Sequence, residues 1–177
     1  MIKEKLYIFL DFDGVLNNAE TDFGRTYLKD NNEVGWDNYN TLATYKLINK
    51  LEEMYDVKVV ISSSWKLNKT FNEFVIKLNQ KKELIDRTNI RILVGKLIDK
   101  FVDKTPDWLH DREDGYNSRE LEIMGYLQLH NIINDKILIL DDELVNIDYH
   151  NQLYWKLDEE YGMTEFDLEL ILEKLKI

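Results

Sequence analysis

Three short apolar runs, each stopped by a polar residue, constrain this chain more than any other feature of it. Lys5–Asp11 reads KLYIFLD, Val57–Ser62 reads VKVVIS, and Lys136–Asp141 reads KILILD. All are rich in Leu, Ile or Val and too short for a helix. Such runs are strands buried on both faces, the kind found in parallel sheets covered by helices. Leu153–Leu157 (LYWKL) is a candidate fourth strand.

Helical spacing fills the intervals. Leu47, Ile48, Leu51, Met54 and Tyr55 share one face of a helix over about 38–55. Phe71, Phe74, Val75 and Leu78 repeat the pattern behind a candidate cap at Asn68, and Ser118 is placed to cap a helix over about 119–130. Thr164 with Asp167 forms a variant capping box ahead of Leu168, Ile171, Leu172 and Leu175. The fold class is therefore α/β, a Rossmann-like three-layer sandwich around a central, mainly parallel sheet. The 177 residues fit one domain, 1–177, and a single proline (Pro106) with seven glycines leaves no linker composition to divide it. The interval between Gly14 and Val60 has room for a helix and a loop but for no large cap. Within it, residues 17–37 are a candidate flap, and about 80–117 is a candidate small insertion.

Composition narrows the chemistry. A net charge of −11 repels polyphosphate backbones and disfavours avid, non-specific nucleic-acid binding, although a local basic pocket is still compatible with one phosphate. The absence of cysteine excludes disulfides, thiolate zinc sites and a cysteine nucleophile. His110, His130 and His150 lie in separate segments without metal-ligand spacing. No apolar run approaches the ~18 residues of a membrane span, and the start lacks the build of a signal peptide, so the expected location is cytoplasmic, with no membrane partner.

In open α/β sheets the working residues gather at the carboxyl ends of the strands. Here each of the three clearest strands ends in Asp or Ser. In Asp11-Phe12-Asp13-Gly14, the glycine permits a tight turn that brings both carboxylates around one small site; the bland alternative is a solvated Asp-Gly turn. Ser62 and Ser63 put hydroxyls where a phosphate would be gripped, or simply form a turn. Asp141, Asp142 and Glu143 repel one another at a strand end, a repulsion that a hard, oxygen-liganded cation such as Mg²⁺ relieves; a solvated acidic turn is the alternative. Trp65 and Trp36 suit either base stacking or rim packing.

Taken in order, DFDGVL, a strand ending in Ser, a basic residue opening a helix and a strand ending in Asp-Asp resemble the haloacid dehalogenase (HAD) superfamily. ISSSW, the helix start Arg119-Glu120-Leu121-Glu122-Ile123, ILDDE and Gly162-Met163-Thr164 are similar to the small HAD domains of phage proteins and multidomain RNA-repair proteins. The resemblance implies that Asp11 attacks phosphorus and that Asp13 serves as acid and then base. It implies Mg²⁺ on Asp11, the Asp13 backbone carbonyl and Asp142, with Asp141 in support. Ser62 and Ser63 would hold the phosphoryl oxygens. Arg119 would act as the phosphate-binding cation where the family most often has Lys, with Lys104 and Arg112 as alternatives. The implied activity is an Mg²⁺-dependent phosphomonoesterase acting on a nucleotide or other small phosphorylated metabolite. The alternatives are a polynucleotide end phosphatase, which the net charge opposes, and a non-catalytic binding protein on the same fold.

Overall fold

The chain alternates strands with helices as the hydrophobic periods require. In order the elements are β1 (Lys5–Leu10), β2 (Arg25–Tyr27), β3 (Val34–Asp37), α1 (Asn38–Met54), β4 (Asp56–Ile61), α2 (Phe71–Glu83), α3 (Thr88–Ile98), β5 (Phe101–Lys104), α4 (Ser118–Leu129), β6 (Lys136–Asp141), β7 (Gln152–Lys156) and α5 (Glu165–Leu175), with a 3₁₀ turn at Ser64–Lys66. The computed structural model describes residues 2–17, 25–27, 34–83, 85, 87–107, 118–143, 145, 147, 149 and 152–177.

Five strands pair in the order β5-β4-β1-β6-β7, every pair parallel. From β1 the chain steps outward through α1 to β4 and through α2 and α3 to β5, then returns past β1 to β6. Parallel crossovers are right-handed, so reversing the direction of travel moves the connecting helix to the other face. The core divides accordingly. Ile8, Leu10, Ile61 and Leu140 pack with Leu47 and Leu51 of α1, Phe74 of α2, Val94 of α3 and Ile171 of α5. Phe9, Val60 and Ile139 pack with Ile123, Tyr126 and Leu127 of α4. Both faces of the central strands are thus covered, which is why their sequences carry no polar alternation.

The expected strands and helices stand where the sequence puts them, within a residue or two at their ends. Two local readings change. Asn68 does not cap α2: its φ is +58°, and Thr70 caps instead, with its N–H donating to Glu73 Oε2 at 2.8 Å and its hydroxyl accepting from the Glu73 N–H at 3.3 Å. The candidate insertion at about 80–117 supplies the end of α2, all of α3 and the edge strand β5; residues 108–117 lie outside the described residues. In the candidate flap, β2 and β3 pair antiparallel as a separate two-stranded sheet, and residues 18–24 and 28–33 are outside the described residues. Among the described residues no helix is long and apolar enough to cross a membrane.

The capping box of α5 is present: the Thr164 side chain accepts from the Asp167 N–H at 3.2 Å, and Asp167 Oδ2 accepts from the Thr164 N–H at 3.0 Å. Thr164→Ala removes one side of it and should lower unfolding stability by about 1 kcal/mol, read as a lower midpoint in urea at unchanged slope.

Candidate active site

The strand register builds the site. Leu10 pairs with Ile61 on one side and Leu140 on the other. The ladder runs one residue further: the Ser62 N–H donates to Leu10 O at 2.9 Å, and the Asp11 N–H donates to Leu140 O at 3.0 Å. Ser62, Asp11 and Asp141 therefore form one row across the carboxyl edge of three adjacent strands, with neighbours about 4.8 Å apart. Side chains alternate along a strand, so this row shares the face of Phe9, Val60 and Ile139, the face covered by α4.

Asp11 is only 4% exposed. Its Oδ1 accepts from the Phe12 N–H at 2.7 Å and its Oδ2 from Arg119 Nη2 at 3.0 Å. Arg119 opens the first turn of α4, and its Nε lies 3.3 Å from Asp141 Oδ2, so one guanidinium bridges both carboxylates. The Nε contact lacks hydrogen-bond alignment, which leaves Asp141 Oδ2 buried without a hydrogen-bond donor among the described residues. The cation sits at the positive end of the helix, an unfavourable place that the two acids offset. Burial pushes the Asp11 carboxyl up to about 6, against the opposing pull of Arg119. Burial, then the neighbouring Asp11, pushes Asp141 up to about 8. Asp142 is raised as well, chiefly by desolvation.

Carboxylate oxygens of Asp11, Asp141 and Asp142 all lie within 4.8 Å of one another. A hard cation accepts such an all-oxygen donor set. Gly14 makes the approach possible: its φ is +67°, and a Cβ there would lie 2.2 Å from Asp142 Cγ. The turn must therefore be glycine for Asp142 to reach Asp11. The Gly162-Met163-Thr164 segment braces the same turn, through the Met163 N–H on Val15 O at 2.9 Å and Asn40 Nδ2 on Met163 O at 2.8 Å.

The Asp13 carboxylate stands apart from this acidic group. It is exposed and held by two donors, Asn17 Nδ2 at 2.8 Å and Trp65 Nε1 at 2.9 Å. Ser63 is buried; its hydroxyl lowers the Asp11 pKa and accepts weakly, at 3.4 Å, from the Trp65 N–H. Ser62 Oγ is buried with no hydrogen-bond partner among the described residues. Lys104, one alternative for the basic role, pairs with Asp107 at 2.7 Å, and Arg112 lies outside the described residues. Trp65 packs edge-on against Phe12, with ring centroids 5.3 Å apart, while the Trp36 side chain is outside the described residues. His130 stacks on Tyr126, and His110 and His150 are outside the described residues.

Sequence reasoning missed Lys66. It is fully buried, with Nζ 2.9 Å from Glu122 Oε2, 3.3 Å from Pro106 O and 3.5 Å from Asp107. Thr105 Oγ1 donates to the same Glu122 oxygen at 3.3 Å. Glu122 follows Arg119 by three residues, one turn along the same face. The ion pair thus clamps the start of α4 to the loop after β4 and holds Arg119 over Asp11. Lysine is rarely buried, so Lys66 reads as a solvated turn residue until Glu122 is seen opposite it.

A sequence model of the HAD domain in Swiss Army Knife RNA repair proteins matches residues 7–168. The chain belongs to this HAD family. The match runs from β1 into α5 and so takes in every strand of the sheet and the whole acidic cluster. No curated protein and no solved structure matches the chain. Family and fold together make it a HAD-type hydrolase domain.

Two outcomes follow from the burial of these charges. Glu122→Ala leaves Lys66 buried without its closest partner and should cost about 3–5 kcal/mol in chemical denaturation. The second concerns pH. Asp11 and Asp141 titrate above the unfolded value of 3.8. The folded, metal-free chain therefore retains protons that the unfolded chain has lost, and their stabilisation is complete below about pH 4. It is lost as pH rises through about 6 and then about 8. Thermal melts without metal should fall across that window, and millimolar Mg²⁺ should raise the midpoint more at pH 8 than at pH 5. An equal Mg²⁺ effect at both pH values would contradict the assignment.

Proposed function

We propose that this chain is an Mg²⁺-dependent phosphomonoesterase that works through an aspartyl-phosphate on Asp11. The observation that carries the reading is the row of Ser62, Asp11 and Asp141, in which a buried carboxylate lies between a hydroxyl lacking a partner and a second acid. A phosphoryl group in front of Asp11 would give the Ser62 hydroxyl the acceptor it lacks. Mg²⁺ held by Asp11, Asp141 and Asp142, with the Asp13 carbonyl that the family resemblance implies, would neutralise charge on the phosphoryl oxygens.

Asp11 attacks phosphorus, the bond to the leaving oxygen breaks, and that oxygen takes the proton carried by Asp13. Asp13, now a carboxylate, then removes a proton from a water whose oxygen attacks the phosphorus. Inorganic phosphate leaves and Asp11 is regenerated. Asn17 Nδ2 and Trp65 Nε1 both donate to Asp13 and fix the orientation of its carboxylate. Asn17 Oδ1 is buried and has no hydrogen-bond partner among the described residues, so turning this amide over would offer an acceptor to protonated Asp13 in the first half of the reaction. Ser62, Ser63 and Arg119 hold the transferring group; Arg119 brings more donors than the two acids occupy.

A nucleotide or other small monoester is the substrate class that the acidic surface favours. The second reading, a polynucleotide end, is favoured by the family description, whose members are RNA repair proteins. The cytoplasm suits either substrate.

Asp11→Asn should abolish hydrolysis of an aryl phosphate and form no phosphoenzyme, because an amide attacks phosphorus poorly. Asp13→Asn should be slower by about 10²–10⁴-fold and should accumulate phosphoenzyme from a nitrophenyl ester, whose leaving group needs no acid. Steady-state kinetics with mass spectrometry of trapped protein separates the two. Substantial turnover by Asp11→Asn would eliminate the mechanism, and an inactive wild type across a broad phosphate screen with Mg²⁺ would favour a non-catalytic binding protein.

A further inference from the structure

At Trp65, just past the end of β4, lies a cavity whose character is opposite to that of the acidic cluster. It has a volume of about 280 Å³ and is lined by Lys69, Lys77, Lys81 and Trp65 over an apolar floor of Phe74 and Leu78. Among the described residues no acid lines it, although the chain carries 34 acidic residues against 23 Lys and Arg. Lys69 donates to two backbone carbonyls, Trp65 O at 3.1 Å and Leu67 O at 2.9 Å, and among the described residues no carboxylate pairs with Lys69 or Lys77. Lys81 Nζ lies 4.9 Å from the centre of the Trp65 ring, a cation–π contact. Lys77 and Lys81 are one helical turn apart on α2, so both ammonium groups serve the same cavity. The helix C-terminus accounts for Lys81 and Lys82, but neither for Lys77 nor for Lys69, which precedes the helix.

Trp65 ties this cavity to the chemistry. Its indole N–H holds Asp13, and the same ring lines the cavity. On the reading above, Asp13 protonates the leaving oxygen, so the alcohol part of the substrate lies on the Trp65 side of the phosphorus. We propose that the Lys69–Lys77–Lys81 cavity takes a second phosphate carried by that alcohol part. The substrate class is then a phosphomonoester whose alcohol bears another phosphate, as in a nucleoside bisphosphate or in a terminally phosphorylated oligonucleotide with its first internucleotide phosphodiester. A cavity confined to one concavity captures one such group without giving the acidic surface a general affinity for nucleic acid.

This inference rests on the phosphatase reading for the placement of the alcohol, and its test separates the two. With Mg²⁺, kcat/KM is compared for adenosine 3′- and 5′-monophosphates, adenosine 3′,5′-bisphosphate, and a short oligonucleotide phosphorylated at either end. A second phosphate should raise kcat/KM by about tenfold or more over the monophosphates, as a charge-assisted contact does. That advantage should shrink with added salt and drop to about twofold in the Lys77→Ala/Lys81→Ala chain, whereas Lys50→Ala on the exposed face of α1 should keep it. An advantage for the bisphosphate alone, for the oligonucleotide alone or for both identifies the source of the second phosphate. Equal kcat/KM for singly and doubly phosphorylated substrates, or an advantage that survives loss of both lysines, overturns the proposal while leaving the phosphatase reading intact. If no phosphate ester is hydrolysed at all, the catalytic reading fails, and calorimetric binding of adenosine 3′,5′-bisphosphate decides alone. Affinity that is absent in the full wild-type chain, or unchanged in the folded double-lysine variant, rejects the cavity.

Discussion

The site is governed by one row of residues at the edge of a parallel sheet. Because β1, β4 and β6 end in register, Asp11 and Asp141 are brought side by side in a place from which water is largely excluded. At a separation within 4.8 Å and an effective dielectric near that of a protein surface, two such charges repel by on the order of 3 kcal/mol. Asp142 adds a third acid, and Arg119 supplies the one cation that contacts the group among the described residues. With all three acids ionised, two negative charges remain uncompensated, which matches a divalent cation in number and an oxygen-liganded one in kind. Gly14, the early start of α4 and the Lys66–Glu122 clamp all serve this crowding.

Much of that arrangement is legible in the sequence because it follows from strand length. KLYIFLD, VKVVIS and KILILD are buried on both faces, so hydrophobicity alone marks them, and their polar last residues fall in one row once the register is set. Reading carboxyl-end residues as neighbours therefore succeeds for Asp11, Ser62 and Asp141. β5 was not legible for the opposite reason. It is a four-residue edge strand, FVDK, in which only Phe101 is buried and Val102 faces solvent. α3 shows the right spacing at Ile90, Val94, Leu97 and Ile98, but Gly95 weakens its interior and Arg87 stands where a capping side chain would signal its start.

Side-chain partners across long separations were beyond sequence reading. Lys66 and Glu122 meet across fifty-six positions, and neither has a local pattern that announces the other. The same holds for Trp65 and Asp13. DxDG spacing distinguishes two carboxylates, but it does not show that one lies buried under a guanidinium while the other is exposed between an indole and an amide. That difference in surroundings suits the distinct roles proposed for them: Asp11 is desolvated, as the proposed nucleophile, while Asp13 is exposed to solvent, as the proposed acid and base.

The choice of Arg at position 119 also follows from the row. A lysine ammonium is a compact point charge, well suited to one acid, whereas a guanidinium presents a planar fork of five donors. Here Nη2 reaches Asp11 while Nε lies beside Asp141, so the fork spans neighbouring strands at their natural spacing. A Lys at the start of α4 would satisfy one carboxylate and leave the other to repel it. An Arg so placed draws both carboxyls towards their charged forms against the burial that raises them, and in the proposed mechanism it has donors left for the phosphoryl oxygens. Its position is in turn set one turn later, by Glu122 on buried Lys66. The geometry of the proposed nucleophile therefore depends on an ion pair in a layer that never touches phosphorus.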